Sequence, residues 1–360
     1  MKAIVTAGQL ANAAELAAFK KGAIARLVTR SQDEILIIAA DSNVAVTAAA
    51  PATIIDAGEA SIAADRLAAL LGGFHAEAIV SLSATARFLS IACGDGRYRL
   101  PLCTHWESFQ LEDGAPSVMV SADDALHLFS PLIAAEDGKK PRPYLAGLYL
   151  HHAGGKLHGV STDGTTLLRA SVDAGELPGS NLPAPSIAAM ARLIKKAKPD
   201  SAAFRRGERL FEVAAPGFNF VTRLIGERFP SYECVLPPAS RNVATVSRAE
   251  LRAALARLEA VAVTDTKLTP LVALSWKAGK PIDVFLVREL DAGVDTIGAG
   301  TTGAAQIAFA LPVLAALIDE FSDESLRLEI EQSLIIRTSA KLGLLVSCKW
   351  QFAEAQALSA

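Results

Sequence analysis

The chain is poor in the residue patterns that carry covalent chemistry. Its four cysteines, Cys93, Cys103, Cys234 and Cys348, are scattered with no CxxC pair. That argues against structural zinc and a disulfide framework and fits a reduced, cytoplasmic setting. No apolar run approaches the roughly 20 residues that a membrane-spanning helix needs. The opening MKAIVTAGQLANAAELAAF interrupts its apolar residues with Gln9, Asn12 and Glu15, which makes a poor secretory leader. His151-His152 has no third ligand at a metal-like spacing and reads as strand surface. GxSxG, a Walker lysine, HExxH and a Cys–His pairing are all missing. These absences speak against an enzyme, and no metal or cofactor is expected.

One formal exception is Gly298-Ala299-Gly300-Thr301-Thr302-Gly303, a GxGxxG run. A dinucleotide fingerprint must follow a buried strand and open directly into a helix. Here DAGVDTI is a poor strand, and AAQIAFA separates the glycines from the next helix. A hairpin loop accounts for the glycines. Asp163, in STDG, reads in the same way as a turn former rather than a catalytic base.

What is present is a globular composition, with 51% apolar and 20% charged residues over 360 positions. The net charge of −3 hides an uneven distribution. Residues 1–115 carry 9 basic and 12 acidic side chains, residues 116–241 carry 15 and 12, and residues 242–360 carry 11 and 14. An electrostatic contact with nucleic acid would therefore be a local stripe on an otherwise acidic body.

A pattern recurs three times. IVTAGQLANAAELA, MVSADDALHLFSPL and TVSRAELRAALARL each read as a short strand, a Thr or Ser at an N-cap, and an Ala/Leu-rich helix. Gln9, Asp124 and Glu250 stand three positions after the hydroxyl residue. About 60 residues into each repeat comes a second apolar helix, expected over 61–74, 182–197 and 307–321, followed by two or three strand-like runs. EDGAPS at 112–117 and LPPASRN at 236–242 mark the joints. The expected organisation is α+β: three domains at 1–115, 116–241 and 242–352, and an extension at 353–360.

Two stretches in the middle third then carry a resemblance. RPYLAGLYLHHAGGKLHGVSTDGTTLL (142–168) is similar to the R-x-Y-L-x-G strand and T-D-G-x-x-L turn of the bacterial sliding clamp, the DNA polymerase III beta subunit. RLIGERFPSYECVLP (223–237) resembles that family's K-L-x-x-x-R-F-P-x-Y-x-x-V-I/L-P segment. The chain is similar to a divergent member, and the outer domains match in pattern only. The resemblance implies three clamp-type domains, each with two helices on antiparallel sheets. It also implies a head-to-tail homodimer closed as a ring around duplex DNA, acting as a processivity factor with no catalytic role.

A clamp must hold DNA and still slide, so it needs sequence-blind phosphate attraction. Arg192, Lys195 and Lys196 share one face of the 186–197 helix, opposite Ile187, Met190 and Ile194. Lys20, Lys21, Lys139 and Lys140 match loops that approach DNA in the family, and Arg248 and Arg252 share a helix face. Outside the resemblance, the same side chains read as ordinary solvated charges. The ring interface would use Tyr98 and Leu100 from one copy with Val261 and Val263 from the next, positions that could equally be intradomain core.

The resemblance further implies a pocket between the second and third domains that takes a short apolar peptide from a polymerase or clamp loader. Leu145, Thr162, Gly164 and Leu167 would come from the first stretch, and Pro230 and Val235 from the second. The end of the last strand, VSCKWQF at 346–352 with Cys348 and Trp350, would complete it. Thr165, Thr166 and Cys234 stand where the family often has larger basic residues, so a less basic pocket is expected. A clamp-like scaffold, or a second, specialised clamp not serving the main replicase, is the alternative reading.

Overall fold

The computed structural model describes residues 1–29, 31, 33–104, 108–136, 142–262, 269–287 and 291–349. The chain opens with β1 (Lys2–Thr6) and α1 (Ala7–Ala17). It continues through β2 (Ile24–Thr29), β3 (Glu34–Ala40), β4 (Val44–Pro51), β5 (Thr53–Asp56) and β6 (Gly58–Ala63). Then come α2 (Ala64–Gly72), β7 (Ile79–Ala84), β8 (Phe88–Cys93) and β9 (Gly96–Pro101).

The plan recurs with β10 (Ser117–Ser121), α3 (Ala122–Phe129), β11 (Gly147–Ala153), β12 (Lys156–Thr162), β13 (Thr166–Val172) and β14 (Ser180–Pro183). That stretch closes on α4 (Ala184–Ala197), β15 (Ser201–Arg206), β16 (Leu210–Ala215) and β17 (Phe218–Arg223). A third round runs β18 (Val243–Ser247), α5 (Arg248–Val261), β19 (Leu271–Lys277), β20 (Ile282–Val287), β21 (Ala292–Ile297), β22 (Ala299–Thr302) and β23 (Ala304–Ala310). It ends with α6 (Leu311–Asp319), β24 (Ser325–Ile330), β25 (Ser333–Arg337) and β26 (Lys341–Val346). No helix among the described residues is long and apolar enough to cross a membrane.

The residues form two compact units. The first comprises Met1–Phe129, Gly147–Leu157 and Asp173–Arg228. One sheet of this unit has the order β5-β1-β7-β8-β9, and the other the order β10-β15-β16-β17-β4-β3-β2-β6. In the second sheet β17 pairs antiparallel with β4, placing Phe220 opposite Val46 and Val221 opposite Ala45. The amphipathic helices α1 with α2, and α3 with α4, pack as pairs. On α4, Ile187, Met190, Leu193 and Ile194 are buried while Arg192, Lys195 and Lys196 point outward, as a 3.6-residue period requires. The helix stops at Lys198, which is left-handed at φ 48° and precedes Pro199.

The second unit comprises Ser130–Ala146, His158–Val172 and the chain from Phe229 onward. Its larger sheet runs through β13, β26, β25, β24, β18 and β22, and the smaller has the order β21-β20-β19-β23. Here β26 pairs antiparallel with β13, placing Leu344 opposite Leu167 and Gly343 opposite Leu168. Leu251, Leu255 and Leu258 of α5 share one core with Leu314, Leu317 and Ile318 of α6. Truncating one such leucine to alanine costs about 2–5 kcal/mol.

The three stretches read from sequence as second helices each begin as a strand. Ala63, Pro183 and Ala310 have extended backbones (φ/ψ −68/118°, −61/139° and −63/118°), and the helix starts one residue later. Strand pairing holds them there: Ala63 lies opposite Ile24, Pro183 opposite Gly147, and Ala310 opposite Leu271. The GxGxxG run is not the hairpin loop expected from sequence but a crossing between sheets, its first strand pairing with β18 and the strand after it with β19. Ala299–Thr302 is a strand, Gly303 turns at φ 63°, and a strand follows. A Cβ at Gly303 would meet Asn242 Oδ1 at 2.3 Å, so the position needs glycine for space as well as conformation.

Candidate functional site

The second unit carries an open cavity of about 470 Å³, within the range of ligand pockets. One wall is the turn between β12 and β13. The Oδ1 of Asp163 accepts from the backbone N–H of Thr165 at 2.8 Å and of Thr166 at 2.7 Å. The Thr162 hydroxyl donates to the Thr166 carbonyl at 2.6 Å, and Gly164 closes the turn at φ 87°. Asp163 is thus an Asx-turn former. The turn presents Thr162, Gly164, Thr165, Thr166 and Leu167 to the cavity.

A second wall is the segment after β17. Phe229 and Tyr232 are each only 4% exposed, so they root the segment. Between and beside them, Pro230, Ser231 and Val235 face the cavity. The floor and far side come from Leu145, from Gln332 and Ser333 at the β24–β25 hairpin, and from Leu344 and Val346 of β26.

Arg142 and Tyr144 complete the rim. The Arg142 guanidinium donates from Nε and Nη2 to Glu136 Oε1 at 3.1 and 3.0 Å, and Nη2 also donates to the Asp163 carbonyl at 2.9 Å. Apolar and hydroxyl-bearing side chains otherwise dominate the lining, and Arg142 is its single formal charge among the described residues. Such a surface suits a short, mostly apolar peptide held by backbone hydrogen bonds.

Eight of the residues picked from sequence meet here: Leu145, Thr162, Gly164, Thr165, Thr166, Leu167, Pro230 and Val235. Cys234 is exposed on the 3-10 turn Tyr232–Val235 and is not part of the lining. Cys348 bridges Ala308 and is also outside the lining. Trp350 and the 353–360 extension lie outside the described residues. Arg142, Tyr144, Ser231 and Tyr232 sit inside the two quoted motifs and could have been read from them. Gln332 and Ser333 carry no local signal, because only the sheet brings their hairpin to the cavity.

The basic residues fall into two places. In the first unit, Arg192 donates to the Phe19 carbonyl and Lys196 pairs with Glu15, which gathers the basic face of α4 beside Lys20 and Lys21. Lys20 is tied to Asp41, whereas Lys21 and Lys195 are exposed with no hydrogen bond or ion pair among the described residues. In the second unit, Arg252 Nε lies 3.0 Å from both carboxylate oxygens of Asp319, and Arg248 Nε is buried without a partner among the described residues. Lys139 and Lys140 lie outside the described residues. Tyr98 is exposed on the edge strand β9, tilted against Phe74 at 5.5 Å between ring centroids. Leu100 is half-buried on the same strand, and Val261 is exposed at the end of α5. Val263 lies outside the described residues.

Comparison with known proteins agrees with this architecture. The DNA polymerase III subunit beta of Pseudomonas aeruginosa superposes with a TM-score of 0.87 at 18% identity, over 97% of this chain and 100% of that one. This is the sliding-clamp fold. The clamp of Caulobacter crescentus gives a TM-score of 0.87 at 19% identity, and the beta subunit of Thermotoga maritima 0.85 at 17%, with the same coverage of both chains. In sequence, the beta sliding clamp of Pseudomonas aeruginosa is 25% identical over 207 residues, and that of Pseudomonas putida 23% over 206. The match spans 56% of the length of these curated clamps. No family model matches the chain. The chain is thus similar to the bacterial beta clamps in fold over nearly its whole length and in sequence over about half of it.

Proposed function

We propose that the chain is a DNA sliding clamp, a non-catalytic processivity factor. In this reading two copies close head to tail around duplex DNA and tether a polymerase and other partners through the cavity described above. It works in the cytoplasm, without a cofactor, and the chain divides into three clamp domains at 1–115, 116–241 and 242–352.

One observation carries the reading: the molecule makes the same joint twice and leaves the edges of a third joint open. β17 continues a sheet onto β4, and β26 continues a sheet onto β13. By position in the repeat, the strand equivalent to β17 and β26 is β9, and the strand equivalent to β4 and β13 is β21. Both are edge strands of their sheets. Unpaired edges invite a further strand, and here the complementary pair sits on one chain, so a second copy can satisfy both.

The hairpins fix the register. Phe218 and Gly96 each begin a strand directly opposite the end of the preceding one, at Ala215 and Cys93. Ala45 lies opposite Ala40 and Ala292 opposite Val287, with the same number of residues between the partners in sequence. Transferring the β17–β4 register puts Arg97 opposite Val294, Tyr98 opposite Gly293 and Arg99 opposite Ala292 of the second copy. A bulky tyrosine opposite a glycine is sterically favourable, and Tyr98 then faces the α5 side where Val261 is exposed. Lys20, Lys21, Arg192, Lys195 and Lys196 would supply the phosphate attraction, with Lys139, Lys140, Arg248 and Arg252 as further contacts.

The test is oxidative cross-linking. Arg97→Cys with Val294→Cys in one chain should give a covalent dimer, whereas the two single variants and the unaltered chain should give none above the background of native cysteines. An uncross-linked double variant would contradict the joint.

A further inference from the structure

We infer that Glu136 sets the charge preference of the peptide cavity by masking Arg142, so that an acidic segment gains no advantage there over an uncharged apolar one. The inference rests on the docking role proposed above. The Glu136 side chain is 0% exposed, whereas that of Arg142 is 39% exposed. The carboxylate therefore works from beneath the rim and is absent from the lining, while the guanidinium faces the cavity. Both Nε and Nη2 of Arg142 are drawn to a single oxygen, Glu136 Oε1. A peptide reaching this rim meets a neutralised pair rather than a free cation, and the attraction for an incoming acid is largely cancelled at source.

The same pair positions the walls. The Glu136 backbone N–H donates to the Leu145 carbonyl at 3.0 Å, and the Leu145 N–H donates to the Arg142 carbonyl at 3.0 Å. Arg142 Nη2 grips the Asp163 carbonyl of the STDGTT turn. The guanidinium packs so closely on Gly164 that a Cβ there would come within 2.9 Å of Nη1. Nη1 makes no hydrogen bond among the described residues and is the atom left for a ligand.

Glu136 also has a feature that makes the substitution clean. Its Oε2 is buried with no hydrogen-bond partner among the described residues. In Glu136→Gln the amide oxygen can keep the Oε1 contacts with Arg142, and the amide nitrogen replaces an atom that has no hydrogen-bond partner among the described residues. The shape persists and the negative charge goes.

The experiment uses two synthetic, labelled hexapeptides with two leucines and a phenylalanine around one central position, serine in one and aspartate in the other. Fluorescence anisotropy at low salt gives their affinities for the full chain. The unaltered chain should bind both within about twofold. Glu136→Gln should favour the aspartate peptide by about tenfold, the size of one charge-assisted hydrogen bond, and Glu136→Gln with Arg142→Gln should abolish that preference. A role confined to stability would weaken both peptides alike and leave the ratio unmoved. An aspartate preference in the unaltered chain overturns the inference without any variant, as does an unchanged ratio in a folded Glu136→Gln. Binding of neither peptide to the unaltered chain overturns the docking role, and this inference with it.

Discussion

Val235 and Leu167 line the same cavity but differ in what else they hold. Val235 is 62% exposed and Leu167 2%. Val235→Glu should change stability by less than about 0.5 kcal/mol, as surface substitutions do. It should nevertheless weaken an apolar peptide at least tenfold by placing a carboxylate in the wall. Thermal denaturation beside peptide titration checks both halves. Leu167→Ala should lose stability and peptide binding together, since a buried leucine costs about 2–5 kcal/mol.

Asp41 shows how local chemistry competes with the proposed DNA contact. Burial raises its pKa, but the Lys20 ammonium and the N–H groups of Asn43 and Val44 outweigh this and hold the carboxyl below its ordinary value. A depressed folded pKa contributes stability above the unfolded value, and that stability is lost as pH falls through the folded one. Asp41→Asn should therefore destabilise at neutral pH, by under about 1 kcal/mol given its exposure to solvent. The difference from the unaltered chain should vanish in strong acid, as read by denaturant titration across pH.

At the scale of elements, the three repeated helix starts do not cap alike. Ser121 accepts from the Asp124 N–H at 3.1 Å and donates to its carboxylate at 2.7 Å, and Ser247 accepts from the Glu250 N–H at 3.3 Å. Thr6 instead bonds the Gln9 side chain and caps no backbone group. Ser121→Ala should cost about 1 kcal/mol, more than Thr6→Ala, by chemical denaturation of each variant.

This is also the scale at which the sequence was most legible. The β–α starts at Val5, Val120 and Val246 were visible because a period-2 run hands over to a period-3.6 run at a hydroxyl residue. The strands leading into α2, α4 and α6 were not, because SIA, LP and IAFA carry the same small apolar residues as the helices they precede. Partner strands elsewhere in the chain decide those residues. The cavity divides in the same way: its two motif-borne walls and Val346 at the end of the last strand could be read locally, while Gln332, Ser333 and Leu344 arrive through the pairing of β25 with β26 and of β26 with β13.

At the scale of the whole molecule, the account rests on topology rather than on a tight DNA site. Of the seven described basic side chains proposed to face DNA, Lys20, Arg192, Lys196 and Arg252 are engaged within the chain. Such a lining would attract phosphates weakly and read no bases. Retention would then come from the two β9–β21 closures.

That makes retention after loading the most direct measurement, on closed circular duplex DNA and on the same DNA linearised. The account predicts that the protein stays on the circle through a salt wash and runs off the linear form. Equal retention on both forms would contradict it.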